Sequence, residues 1–65
     1  MIELEVKGKN KRIKLGKEKT IKNLLEKQGI RVDDFVITVN GKVVLEDEKL
    51  KDKDKIKLYP VISGG

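Results

Sequence analysis

The chain has 65 residues, a mass of 7.4 kDa, 37% hydrophobic and 42% charged residues, and a net charge of +5. A chain this short supports one small core and no interdomain cleft. With neither cysteine nor histidine, disulfides, thiolate catalysis and cysteine zinc sites are excluded, and the commonest neutral-pH base and metal ligand is missing.

Ile2, Leu4 and Val6 alternate with charged residues, the period-two pattern of a half-buried strand. Gly8-Lys9-Asn10 predicts a turn, and Arg12-Ile13-Lys14-Leu15 a second strand ended by Gly16. The two runs predict a hairpin with Ile2, Leu4, Val6, Ile13 and Leu15 on one face. Thr20 is a candidate N-cap. Ile21, Leu24 and Leu25 follow at helical spacing, and Gly29-Ile30 predicts a Schellman ending in which Ile30 meets Leu25. The predicted helix is 20–29. Phe35, Ile37 and Val39 predict a third strand. Asn40-Gly41 is a type I′ turn signal, because both central positions need positive φ. Lys42–Leu45 predicts a fourth strand, and Leu50 an anchor within the charged stretch 46–55. Lys55–Tyr59 alternates as the last strand, and pairing is expected to fade at Pro60, which has no N–H to donate. Val61-Ile62-Ser63-Gly64-Gly65 is the tail.

Two local hairpins and one helix predict a two-layer α+β domain. The last strand must lie inside the sheet to join the hairpins, which is the β-grasp arrangement with a mixed sheet of about five strands. The expected division is 1–60 as the domain and 61–65 as a flexible tail. The longest apolar runs, such as Phe35-Val36-Ile37, are far short of the roughly 20 residues of a membrane span. The alternating start is no signal peptide. A soluble, cytoplasmic monomer without membrane contact is the expectation, and abundant lysine and glutamate fit a hot environment.

The charge is uneven. Residues 1–27 hold nine basic and four acidic side chains, and residues 28–65 seven of each. The excess is concentrated in Lys7, Lys9, Lys11, Arg12, Lys14, Lys17, Lys19 and Lys22, with Glu18 opposing. A small basic module for RNA or an acidic protein, using the Lys7–Lys22 patch, is therefore an alternative function. Only Arg12 and Arg31 are arginine, the residue that grips phosphate with a bidentate fork. With Phe35 and Tyr59 as the only aromatics, a platform for stacked bases is poorly supported. Asp52-Lys53-Asp54 lacks the glycine and distal glutamate of a calcium loop, so a solvated turn is expected. Glu46-Asp47-Glu48 is a polar loop, since consecutive residues point in different directions. No metal site is expected.

Any chemistry is expected at the terminal glycine pair, which follows directly on the last strand of the β-grasp pattern. Without side chains, Gly64 and Gly65 can thread a narrow channel into another protein's active site. The group delivered there is the Gly65 α-carboxylate, which is a poor electrophile until activated as a mixed anhydride.

Over its whole length the chain resembles the ubiquitin-like sulfur-carrier and small-modifier proteins: the ThiS and MoaD carriers, the eukaryotic ubiquitin-related modifier and the archaeal small modifiers. The matching residues are Thr20-Ile21-Lys22-Asn23-Leu24-Leu25, Gly29-Ile30, Val39-Asn40-Gly41, Leu50-Lys51-Asp52-Lys53-Asp54 and Pro60-Val61-Ile62-Ser63-Gly64-Gly65. The resemblance implies that an E1-like adenylating enzyme activates Gly65, with Gly64 and Ser63 threading. A thiocarboxylate then forms, or an isopeptide bond to a lysine. The thiocarboxylate would serve thiamine or molybdopterin synthesis or tRNA thiolation. It also implies a sulfur donor or sulfurtransferase and a downstream sulfur-accepting enzyme or target protein as partners. The chain itself would be no enzyme and bind no cofactor, ATP and Mg²⁺ belonging to the partner, and direct nucleic-acid binding is not expected. Related proteins dock through the open sheet face, which here predicts Val36 and Tyr59 as apolar anchors and Lys14, Lys55 and Lys57 as a polar rim. One departure is Lys53, where the family often has the glycine of Asp-Gly-Asp.

Overall fold

The computed structural model describes residues 1–62, in the order β1 (Ile2–Val6), β2 (Lys9–Ile13), α1 (Ile21–Lys27), a 3₁₀ turn (Val32–Asp34), β3 (Phe35–Val39), β4 (Lys42–Val44) and β5 (Lys55–Pro60). The sheet order is β2-β1-β5-β3-β4. β5 lies in the centre, parallel to β1 and antiparallel to β3. One helix covers one face of this mixed sheet, the β-grasp arrangement expected.

The core joins the two layers. Ile2, Leu4, Ile37, Val39, Ile56 and Leu58 come from the sheet and Ile21, Leu24 and Leu25 from the helix, all buried. Val6, Ile13, Leu15, Phe35 and Leu50 pack around them. Leu24 and Leu25 are wholly buried, each stabilising the fold by about 2 kcal/mol.

A helix of seven residues is too short to hold on propensity alone, so its ends matter. An α-helix leaves its first N–H groups without intrahelical partners. Ile21 and Lys22 donate theirs to the carbonyls of Glu48 and Glu46, and Asn23 donates to Thr20 Oγ1 at 3.3 Å. The acidic loop 46–48 thus caps the helix through its backbone. At the other end Ile30 N–H reaches Leu25 O at 2.8 Å and Gly29 N–H reaches Glu26 O at 3.0 Å, with Gly29 at φ 76°. This is the Schellman ending predicted.

Two expectations are corrected. The first hairpin turns at Lys7-Gly8, not at Gly8-Lys9-Asn10, and β2 is Lys9–Ile13, not Arg12–Leu15. Both turn residues have positive φ, 51° and 80°, the requirement of a two-residue type I′ turn. That turn closes directly on the Val6–Lys9 pair and lengthens the ladder. Ile13 and Leu15 still pack on the core. β4 also stops at Val44, before Leu45.

The turn before β5 is not simply solvated. Asp54 is buried, and its carboxylate accepts the Lys51 N–H at 2.8 Å and Asn40 Nδ2 at 3.1 Å. Asn40 Oδ1 accepts the Lys55 N–H at 3.1 Å. This clamp ties the β3–β4 turn to the start of the central strand. Beside it Lys53 is held at φ 72°, where a side chain costs on the order of 1 kcal/mol. Lys53→Gly is therefore expected to raise stability by up to about 1 kcal/mol, the relieved strain outweighing the added freedom of the unfolded chain. Chemical denaturation checks this, with a higher midpoint and an unchanged slope as the expected result.

Candidate functional site

Two features converge at one end of the sheet: the start of the tail and the exposed part of the open face. β5 runs through the centre, so the tail leaves from the best-supported strand. The ladder to β3 extends to the Phe35–Pro60 pair, and the Val61 N–H donates to Asp34 O at 2.9 Å. N–H directions alternate along an antiparallel strand. The nitrogen of Pro60 therefore faces the β1 side, where pairing has already stopped at Val6–Leu58. Proline costs this strand no ladder bond, and pairing runs one residue beyond it. Ser63, Gly64 and Gly65, the expected threading and activated residues, lie outside the described residues.

The open face carries the expected docking residues in neighbouring rows. Val36 stands opposite Tyr59, and Thr38 opposite Lys57. Val36 is 40% and Tyr59 46% exposed. Lys57 Nζ sits over the Tyr59 ring at 5.3 Å from its centroid and 3.5 Å from Glu5 Oε2. The Tyr59 hydroxyl and, after it, the Glu5 carboxylate hold the Lys57 ammonium above its ordinary pKa. Thr38 Oγ1 donates to Lys57 O at 2.9 Å, so a hydroxyl on this face is spent within the sheet. Lys55 stands opposite Glu3 at the far end of β5 from the tail. Lys14 lies past the end of β2, outside the ladder. The structure thus brings Val36, Tyr59 and Lys57 together, sets Lys55 further along the same face and leaves Lys14 apart.

Two apolar residues of this face escape the sequence patterns. Val43 pairs with Thr38 and so shares the face of Lys57, and it is 73% exposed. Leu45, next in register after Val44–Ile37, is 75% exposed. In Lys42-Val43-Val44-Leu45 three apolar residues run together, and alternation cannot say which one is buried. The two-residue turn at Asn40-Gly41 holds the answer, because it closes on the Val39–Lys42 pair and forces Val43 opposite Thr38.

The basic run does not form one surface. Lys11 Nζ donates to Gln28 Oε1 at 3.2 Å, beside the C-terminal end of α1. Lys19 and Lys22 lie at the other end of the helix, where Leu50 N–H donates to Lys19 O and Lys22 N–H to Glu46 O. Lys27 pairs with Glu18 at 2.7 Å. Lys11 is therefore separated from Lys19 and Lys22 by the length of the helix, and Arg12, opposite Glu3, stands on the other face of the sheet.

Among the described residues no helix is long and apolar enough to cross a membrane, and no three acidic side chains gather as a metal site would require. A comparison with protein families finds that the model of the ThiS family matches residues 3–65.

Proposed function

The chain belongs to the ThiS family, whose members are ubiquitin-like sulfur carriers rather than enzymes, and from that premise we propose that Gly65 is the residue loaded with sulfur. An oxygen of its α-carboxylate attacks the α-phosphorus of ATP in an E1-like adenylating enzyme, and pyrophosphate leaves. A persulfide sulfur from a sulfurtransferase then displaces AMP, giving an acyl disulfide. A second thiol cleaves the S–S bond, leaving the thiocarboxylate on the carrier and a disulfide on the donor. A sulfur-accepting enzyme consumes the product. Displacement of AMP by an enzyme thiol, followed by a lysine amine, would give an isopeptide by the same activation.

The observation that carries this reading is the reach of the family match, which runs through Gly64 and Gly65. The chemistry of this chain agrees with it. Without histidine or cysteine it has no means of activating its own carboxylate, whereas a glycine pair passes where any Cβ would collide. The open face beside the tail, with Val36 and Tyr59 at its centre, would orient the carrier on the activating enzyme.

Intact mass spectrometry tests the assignment. The carrier is incubated with ATP, Mg²⁺, a cognate E1-like enzyme and a persulfide donor. The expected product is heavier by the difference between sulfur and oxygen, and the gain maps to the fragment containing Gly65. No mass change together with no pyrophosphate exchange would overturn it.

A further inference from the structure

The two edges of the sheet are built differently. β2 places Lys9 and Lys11 opposite Val6 and Leu4, so two ammonium groups stand on the helix side of that edge. Charged side chains directed this way block the addition of another strand. β4 carries one lysine, at its turn end, while Val43 within it and Leu45 just past it are exposed and apolar.

The backbone of β4 is also open. The Val61 N–H bonds toward β3 at Asp34, so even-numbered residues of β3 face β5 and odd-numbered ones face β4. Val39 and Ile37 therefore bond Lys42 and Val44, which leaves the Val43 N–H and C=O directed outward. Beside them is a shallow groove whose lining includes Phe35, Val36, Val43 and Leu45 together with Glu46 and Asp47.

The charge around this groove is opposite to that of the chain. Residues 31–48 hold five acidic and two basic side chains, although the net charge is +5. The groove also borders the start of the tail, since Asp34, which holds Val61, directly precedes Phe35.

We propose that the β4 edge is a strand-addition site for an extended apolar segment of a partner protein flanked by lysine or arginine. Resting on the carrier reading above, it gives the loaded carrier a second grip close to the tail. The partner's backbone pairs with Val43, its apolar side chains cover Val43, Leu45 and Val36, and its cations meet Glu46 and Asp47. This is the mode in which main-chain bonds supply affinity and alternate side chains supply selectivity.

The test needs no enzyme, so its outcome is separate from that of sulfur loading. The full chain is titrated with a short capped peptide alternating lysine and valine, and amide signals are followed by NMR. Shifts at Val43, Leu45 and Phe35 are expected, with slowed exchange of the Val43 N–H and affinity that falls with salt. Val43→Pro removes the outward N–H without breaking a bond to β3 and should weaken binding about fivefold to tenfold. Val43→Lys keeps the backbone and should weaken it comparably by like charge, which covers the case in which the proline variant does not fold. The same peptide with glutamate for lysine should not bind. Shifts confined to β2 or to Lys55 and Lys57, no shifts at all, or binding by both Val43 variants as tight as that of the parent would overturn the assignment. So would β4 shifts that grow with carrier concentration alone, because the occupant would then be a second copy.

Discussion

Deletion of Gly65 is expected to abolish ATP-dependent activation, with a loss of at least about a hundredfold in pyrophosphate exchange at saturating carrier. The last described anchor is the Val61 bond to Asp34. Beyond it, each residue extends the chain by at most about 3.5 Å. The deletion leaves the Gly64 carboxylate as the new end, short of the α-phosphorus by about that distance. A misplacement of 1 Å can already cost on the order of a hundredfold, so the loss should fall on the maximal rate. Binding should persist, because the open sheet face is untouched. The fold should persist too, since the core residues run from Ile2 to Leu58. Gly64→Ala should slow exchange while keeping the correct length, its Cβ entering a channel shaped for glycine. Exchange that is unchanged in the Gly65 deletion, with a normal unfolding midpoint, would end the assignment of Gly65 as the activated residue.

What the sequence made legible was local. Thr20, the Gly29-Ile30 ending and Asn40-Gly41 each specify their structure through contacts a few residues apart, and each is found as predicted. The central position of β5 followed from having two hairpins to join. The family resemblance was likewise carried by short motifs, and the family match extends over all of them. The sequence misleads where tertiary contacts decide. Nothing in the residue type of Lys7 announces a left-handed backbone, and Gly8-Lys9-Asn10 has the composition of a turn. Asp54 looked like one more loop charge, yet it is buried because Asn40 and the Lys51 N–H satisfy it. The lysine run looked like one patch until the chain folded, when α1 separated Lys11 from Lys19 and Lys22. Val43 and Leu45 were hidden in an apolar run whose alternation only the register resolves.

Tyr59→Ala is expected to weaken binding to the activating enzyme by about 2 kcal/mol, a roughly thirtyfold change in affinity, while the domain stays folded. An interface draws most of its energy from a few desolvated anchors, among which tyrosine is enriched. Tyr59 is the one aromatic on the open face. It is 46% exposed in the free chain, so much of its ring remains available for burial. Its ring also meets Lys57 Nζ, and Val36 lies directly opposite. Truncation removes the cross-strand contact with Val36 and the contact with Lys57 along β5, together worth up to about 1 kcal/mol of stability, which a core of nine buried apolar residues should tolerate. Tyr59→Phe separates the ring from the hydroxyl and should bind nearly as well as the parent. Lys55→Glu should act more weakly, mainly on the association rate, and its effect should fade as salt screens it. Calorimetric titration of the enzyme with each variant, alongside circular dichroism, distinguishes these outcomes. If Tyr59→Ala binds like the parent while Val43→Lys does not, the grip on the enzyme comes from the β4 edge alone, and Tyr59 serves only to cover the sheet where the tail begins.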